Sequence, residues 1–137
     1  MAGIIQDQEY HREHIAPALD DRTVVYRGPM GGEDRTNILG CACALLHLVN
    51  FNEPFGLSVV EALASGTPVI ASNRGSMPEL IDHGVTGFLV DSVDDAVDAI
   101  GRIGEIDRAA CRAAVSARFT VDRMADRYME LYRSLLG

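Results

Sequence analysis

Lysine and tryptophan are absent from the 137 residues, and cysteine is confined to three positions. With no lysine, all basic charge rests on twelve arginines against 20 acidic residues, a formal net charge of −8 at pH 7. Nonspecific binding of nucleic acid or anionic lipid needs a basic face, so neither is a partner this composition favours. A small anionic ligand needs only a local positive site and stays open. Cys41, Cys43 and Cys111 supply neither an even disulfide framework nor a zinc-ligand pattern. Apolar runs stop at about six residues, as in Val85–Val90, against the ~20 that a membrane-spanning helix requires. Residues 1–15 carry Asp7, Glu9, Arg12 and Glu13 where a signal peptide needs an apolar core. These features together lead us to expect a reduced, cytoplasmic chain. What is present suffices for a packed core: 47% of residues are hydrophobic, which excludes disordered and collagen-like classes. The length favours one domain over residues 1–137.

Short apolar runs alternate with amphipathic stretches. Ala2–Ile5 reads as the tail of a buried strand, followed by a helix over Gln8–Leu19 that bends or ends near Pro17, where a helical donor is lost. Thr23–Tyr26 is β-branched and aromatic, and Gly28–Gly32 breaks it. Glu33–Cys41 predicts a helix and Ala42–Val49 a continuous apolar strand. Ser58–Ser65 predicts a helix stopped by Gly66-Thr67-Pro68. Pro68–Ala71 and Gly87–Val90 are strands, with a short helix over Ser76–Ile81 between them. Helices over Val93–Ile103, Asp107–Phe119 and Val121–Leu136 follow, the last with Thr120 as N-cap. Such alternation argues for a parallel sheet with helices on both faces. Ligands bind such sheets at the carboxyl ends of the strands. Function is therefore expected in the loops after Tyr26, Val49 and Ala71.

The loop Asn50-Phe51-Asn52-Glu53-Pro54-Phe55-Gly56 feeds a helix whose unpaired N–H groups and partial positive charge suit a phosphate or a sugar oxygen. Glu53 stands before this helix and Glu61 one turn inside it, and carboxylates so placed can accept hydrogen bonds from vicinal hydroxyls. A plainer reading is available for each. Ser58 and Glu61 have capping-box spacing, as do Ser76 and Glu79, and Glu53 could be a solvated loop charge. His11-x-x-His14 lacks a third partner and reads as a solvated helix face, not a metal site. His47 reads as a core or pocket-rim histidine.

The run Asn52-Glu53-Pro54-Phe55-Gly56-Leu57-Ser58-Val59-Val60-Glu61-Ala62-Leu63-Ala64-Ser65-Gly66-Thr67-Pro68-Val69-Ile70-Ala71 resembles the signature of retaining GT-B glycosyltransferases of the family 4, or group 1, type. Arg74-Gly75-Ser76-Met77-Pro78-Glu79-Leu80-Ile81 with Gly84, Thr86, Gly87, Leu89 and Val90 resembles a second block of that family. Ala2–Asp7 and Val25–Gly28 fit as well. The resemblance implies a Rossmann-like doubly wound α/β fold, the donor-binding C-terminal half of a GT-B enzyme. It implies that Glu53 contacts the donor sugar and is the catalytic carboxylate, and that Glu61 holds the ribose hydroxyls. The amides of Phe55, Gly56 and Leu57 would face sugar and diphosphate, and the loop at Gly28 and Met30 would border the nucleobase. It further implies hexosyl transfer from a UDP-, GDP- or ADP-sugar with retention, no metal and no cofactor beyond the donor substrate.

The pattern also departs from the family. The Gly-Arg and Lys that clamp the donor diphosphate have no counterpart among the twelve arginines, and the chain opens on what corresponds to the family's second strand. In the order 3-2-1-4-5-6 the absent first strand would be central, leaving unpaired sheet edges. Three expectations follow: inactivity of the chain alone, a homo-oligomer or a second chain bringing the acceptor domain, and an incomplete sheet. The alternatives are a non-catalytic nucleotide-sugar binding or assembly module that completes a partner's site, and a bare scaffold with a defunct site.

Overall fold

A computed structural model describes all residues, 1–137. The chain divides into two compact units, Met1–Asn37 and Ile38–Gly137.

In the first unit, α1 (Gln8–Tyr10) runs into a π-type turn over His11–Ile15 and a 3₁₀ turn over Ala16–Ala18. The helix expected over Gln8–Leu19 is thus present but uneven, and Pro17 sits in its last turn. The strands expected at Ala2–Ile5 and Thr23–Tyr26 are absent. Asp20 explains the second: its Oδ1 accepts the N–H groups of Arg22, Thr23 and Val24 at 3.0, 2.6 and 2.7 Å, drawing three donors into a turn and away from any ladder. The two segments do meet in a short parallel apposition. Arg27 N–H donates to Met1 O at 2.8 Å and Gly3 N–H to Gly28 O at 3.0 Å. His11 is not solvated as its pairing with His14 suggested: it lies half-buried with its ring 5.6 Å from that of Tyr26.

Helix α2 (Gly32–Cys41) crosses the division. The second unit then runs β1 (Leu45–His47), α3 (Leu57–Ala64), β2 (Val69–Ser72), α4 (Met77–Leu80), β3 (Gly87–Val90), α5 (Val93–Arg102), α6 (Arg108–Arg118) and α7 (Val121–Leu136). The three strands form one parallel sheet in the order β1-β2-β3, with Leu45 opposite Val69 and Val69 opposite Gly87. Val69, Ile70 and Ala71 are all fully buried. Successive strand residues face opposite sides, so both faces of β2 are covered, the condition of a parallel α/β sheet. Helix α3 packs on α6, β1 and β2, and α5 packs on β2 and β3. Val59, Leu63, Ile70, Met77, Ile81 and Phe88 are the large residues of the core.

The strand expected over Ala42–Val49 is shorter than its apolar run. Its first residues are claimed elsewhere: Ala42 N–H still bonds Ile38 O at the end of α2, and Arg108 donates to Gly40 O and Ala42 O at 2.7 and 2.8 Å. Strand β1 pairs on one side only, and Leu46 and Leu48 are exposed. The Gly66-Thr67-Pro68 stop holds as expected, with Thr67 N–H bonding back to Ala62 O at 2.8 Å. The Thr67 hydroxyl, fully buried, donates to Leu39 O and accepts from Arg108. Helix α6 is fixed at its other end by Arg118, which forks onto Asp82 at 3.0 and 2.8 Å and donates to Glu79 O. Cys111 is buried against Thr86 O, and that burial pushes its thiol pKa up, away from thiolate chemistry.

Two measurements test this account. A Cβ on Gly87 would lie 2.0 Å from Val69 O in the neighbouring strand, whereas one on Gly101 in α5 meets nothing within 4 Å. Gly87→Ala is expected to destabilise by ~3 kcal/mol or more, and Gly101→Ala to stabilise by about 0.5–1 kcal/mol. Denaturant unfolding of both variants separates the two cases. In the first unit, the Val24, Arg22 and Thr23 amides hold the Asp20 carboxyl down to about 2 from its ordinary 3.8. Because the folded value is the lower one, the turn's contribution is complete above pH 3.8 and is lost as pH falls through about 2. A carboxyl NMR titration of Asp20 with its midpoint at 3.8 or higher would dismiss the turn.

Candidate functional site

Parallel strands end at the same edge of their sheet. The carboxyl ends of β1 and β2 therefore deliver two loops side by side, residues 50–56 and 73–76. Their junction is specific. Ser76 N–H donates to Glu53 O at 2.9 Å, and the Ser76 hydroxyl donates to Phe55 O at 3.0 Å. Gly75 (φ +58°) sits against the backbone of the first loop: a Cβ there would lie 2.6 Å from Glu53 O and 2.7 Å from Glu53 N. Only glycine fits this approach.

Glu53 is half-buried at the centre of the junction. Its Oε1 accepts the N–H of Gly56 at 3.2 Å and, more weakly, that of Phe55 at 3.4 Å. The carboxylate is thereby oriented by its own loop, beside the positive end of α3, while Oε2 makes no hydrogen bond within the protein. The amides of Phe55 and Gly56, assigned above to a ligand, are in this structure turned onto Glu53. The Leu57 amide opens the helix and has no protein acceptor.

Gly56 is the N-cap of α3 at φ +86°, where a Cβ would strike Met77 and Leu80 at 2.7 and 2.9 Å. This placement corrects both capping expectations. Ser58 lies inside the first turn, not at the cap, so Ser58 and Glu61 form no capping box. Ser76 does precede α4 but caps nothing with its side chain, because its hydroxyl is engaged by Phe55. Glu61 is half-buried one turn into α3, its carbonyl accepting from Ser65 N–H and Oγ at 3.1 and 2.9 Å. Glu79 is exposed and acts through its backbone carbonyl. Gly28 and Met30 belong to the first unit, Gly28 with its carbonyl bonded by Gly3 and Met30 half-buried. His47 is half-buried at the end of β1, with a buried Nε2 that has no hydrogen-bond partner.

The structure thus brings together Glu53, Phe55, Gly56, Leu57 and, one turn on, Glu61. Gly75 and Ser76 belong to the same site. Sequence reading passed over them because a serine three residues before a glutamate satisfies the local rule for a cap. The glycine beside it was the signal for a close backbone approach.

Beside the Glu53 loop, Phe55, Leu57, Leu80, Phe119, Met124 and Tyr128 line a groove of about 800 Å³ between α3, α4 and α7. No helix is long and apolar enough to cross a membrane. No group of three or more histidine, cysteine or acidic side chains is arranged to hold a metal ion.

Known proteins share the family and the fold. Residues 6–116 match the model of the family described as glycosyl transferases group 1. The D-inositol 3-phosphate glycosyltransferase of Saccharomonospora viridis is 35% identical over 143 residues, which cover 99% of this chain and 33% of that protein. The chain thus spans about a third of that relative's length. Among solved structures, AviGT4, a glycosyltransferase of avilamycin A biosynthesis, superposes with a TM-score of 0.77 at 30% identity, over 98% of this chain and 42% of its own. Anabaena HepE in complex with UDP-glucose superposes at 0.71 and 26% identity, over 83% and 33%. The order of the parallel strands, the two loops at their carboxyl ends and the match over residues 6–116 converge: this chain belongs to the group 1 glycosyltransferases and has the Rossmann-like α/β fold of a GT-B C-terminal half.

Proposed function

We propose that this chain binds the nucleotide-sugar donor of a retaining, metal-independent hexosyl transfer and is inactive alone. The observation that carries the reading is the Glu53 carboxylate, turned by the Phe55 and Gly56 amides so that one oxygen is held and the other is left for a ligand. A fixed carboxylate can accept two vicinal sugar hydroxyls without reorganising when the donor arrives. Glu61, one helical turn on, is assigned the ribose, and the Leu57 amide at the head of α3 the diphosphate. Gly28 and Met30 are assigned the nucleobase border, on the resemblance alone. HepE, which shares this fold, has been crystallised with UDP-glucose, so a UDP-sugar is the first donor to try.

Inactivity alone rests on what transfer requires beyond a donor site. An acceptor must be held in line, and cationic groups must stabilise the departing diphosphate. No arginine here matches the family's diphosphate clamp. A second reading is a binding module that completes a partner's site. Either way we propose assembly, with itself or with a chain bearing an acceptor domain. The one-sided pairing of β1 supports this.

Calorimetric titration with UDP, GDP, ADP and their glucose or mannose conjugates is expected to show saturable binding of one nucleotide. Glu61→Ala should weaken that binding about tenfold or more, the scale of a lost hydrogen bond to a charged group. A folded sample that binds none of them refutes the donor reading. Incubated alone with the donor it binds, the chain should release no nucleoside diphosphate above the buffer rate. Measured release would end the claim of inactivity. Light scattering should report a mass above 14.8 kDa, and a monodisperse monomer would count against self-assembly.

A further inference from the structure

Ser76 has the residue type, position and spacing of a helix cap, yet its hydroxyl crosses 21 residues of sequence to Phe55 O. The carbonyl it holds belongs to the Phe55–Gly56 peptide. The N–H of that same peptide donates to Glu53 Oε1. The peptide is trans, so its C=O and N–H point in opposite directions on one rigid plane. A hydroxyl that fixes the carbonyl therefore fixes where the N–H aims. From these contacts we infer that Ser76 is a positioning residue for the donor sugar: it acts through one peptide plane to set the Glu53 carboxylate, whose second oxygen meets the sugar hydroxyls. Hydrogen bonds in such a chain also polarise one another, so the first strengthens the second. The Ser76 N–H to Glu53 O bond and the seat of Gly75 hold the loop in place independently of the hydroxyl. Removing the hydroxyl thus loosens the peptide's orientation and leaves the loop attached.

This inference rests on the donor reading of the site, and the test separates the two. UDP and UDP-glucose are titrated by calorimetry into wild type, Ser76→Ala and Ser76→Thr. Wild type is expected to bind UDP-glucose more tightly than UDP, and binding of both without that preference overturns the role of Ser76. In Ser76→Ala that preference falls about three- to tenfold, as for one lost hydrogen bond, while the affinity for UDP changes less than twofold. Ser76→Thr, which keeps the hydroxyl, restores the preference. Amide hydrogen exchange of Gly56, read without ligand, quickens in Ser76→Ala and not in Ser76→Thr. An unchanged sugar preference, an equal loss for both ligands, or unaltered Gly56 exchange overturns the role of Ser76 and leaves the donor reading standing. Failure of folded wild type to bind either ligand overturns the donor reading, and this inference with it.

Discussion

The parallel pairing of Leu45–His47 with Val69–Ser72 is the constraint on which the site depends. In an antiparallel pair the loops after two neighbouring strands leave from opposite edges. In a parallel pair they leave from the same edge. The Glu53 loop and the Gly75–Ser76 turn can therefore meet, with Ser76 N–H on Glu53 O and no side chain between them. That pairing is itself enforced by burial. Strand β2 has no exposed face, so its residues must find neighbours on both sides and helices above and below.

Two arginines then tie the second unit together at opposite ends of α6. Arg108 gathers Gly40 O, Ala42 O and Thr67 Oγ1 at the start of the helix, and Arg118 gathers Asp82 and the Glu79 carbonyl at its end. These contacts join backbone carbonyls distant in sequence, which distinguishes them from exposed pairs such as Arg102–Glu105 within one turn. Exposed pairs of that kind contribute little. The carbonyls at the end of α2 have no helical partners, and Arg108 satisfies two of them. The same bonds limit how early β1 can begin.

Much of the fold was legible because it is governed by local chemistry. Val121–Leu136 begins and ends where the sequence places it, and the Thr120 side chain accepts from Arg123 N–H as an N-cap should. The Gly66-Thr67-Pro68 stop and the Gly87–Val90 strand are equally local. Misreadings arose where another group, near or distant in sequence, took the donors or the cap that the local pattern promised. Thr23–Tyr26 has strand composition, but one aspartate captures its donors. Ser58 and Ser76 have capping spacing, but Gly56 takes the cap in one case and Phe55 O takes the hydroxyl in the other.

By itself the sequence determined the family, the order of strands and helices from Gly32 onward, and which residues crowd the ends of β1 and β2. Periodicity, turn residues and the Glu53–Glu61 run carry that information over a few residues at a time. Tertiary structure alone decided what those residues do to one another. That Glu53 is held through one oxygen, that Gly75 must lack a Cβ, and that the Ser76 hydroxyl faces across the sheet edge all depend on bringing residue 76 against residues 53–55. A serine hydroxyl has a single proton to donate. Its choice between its own helix and a neighbouring loop is made by distance, and distance exists only once the strands have paired.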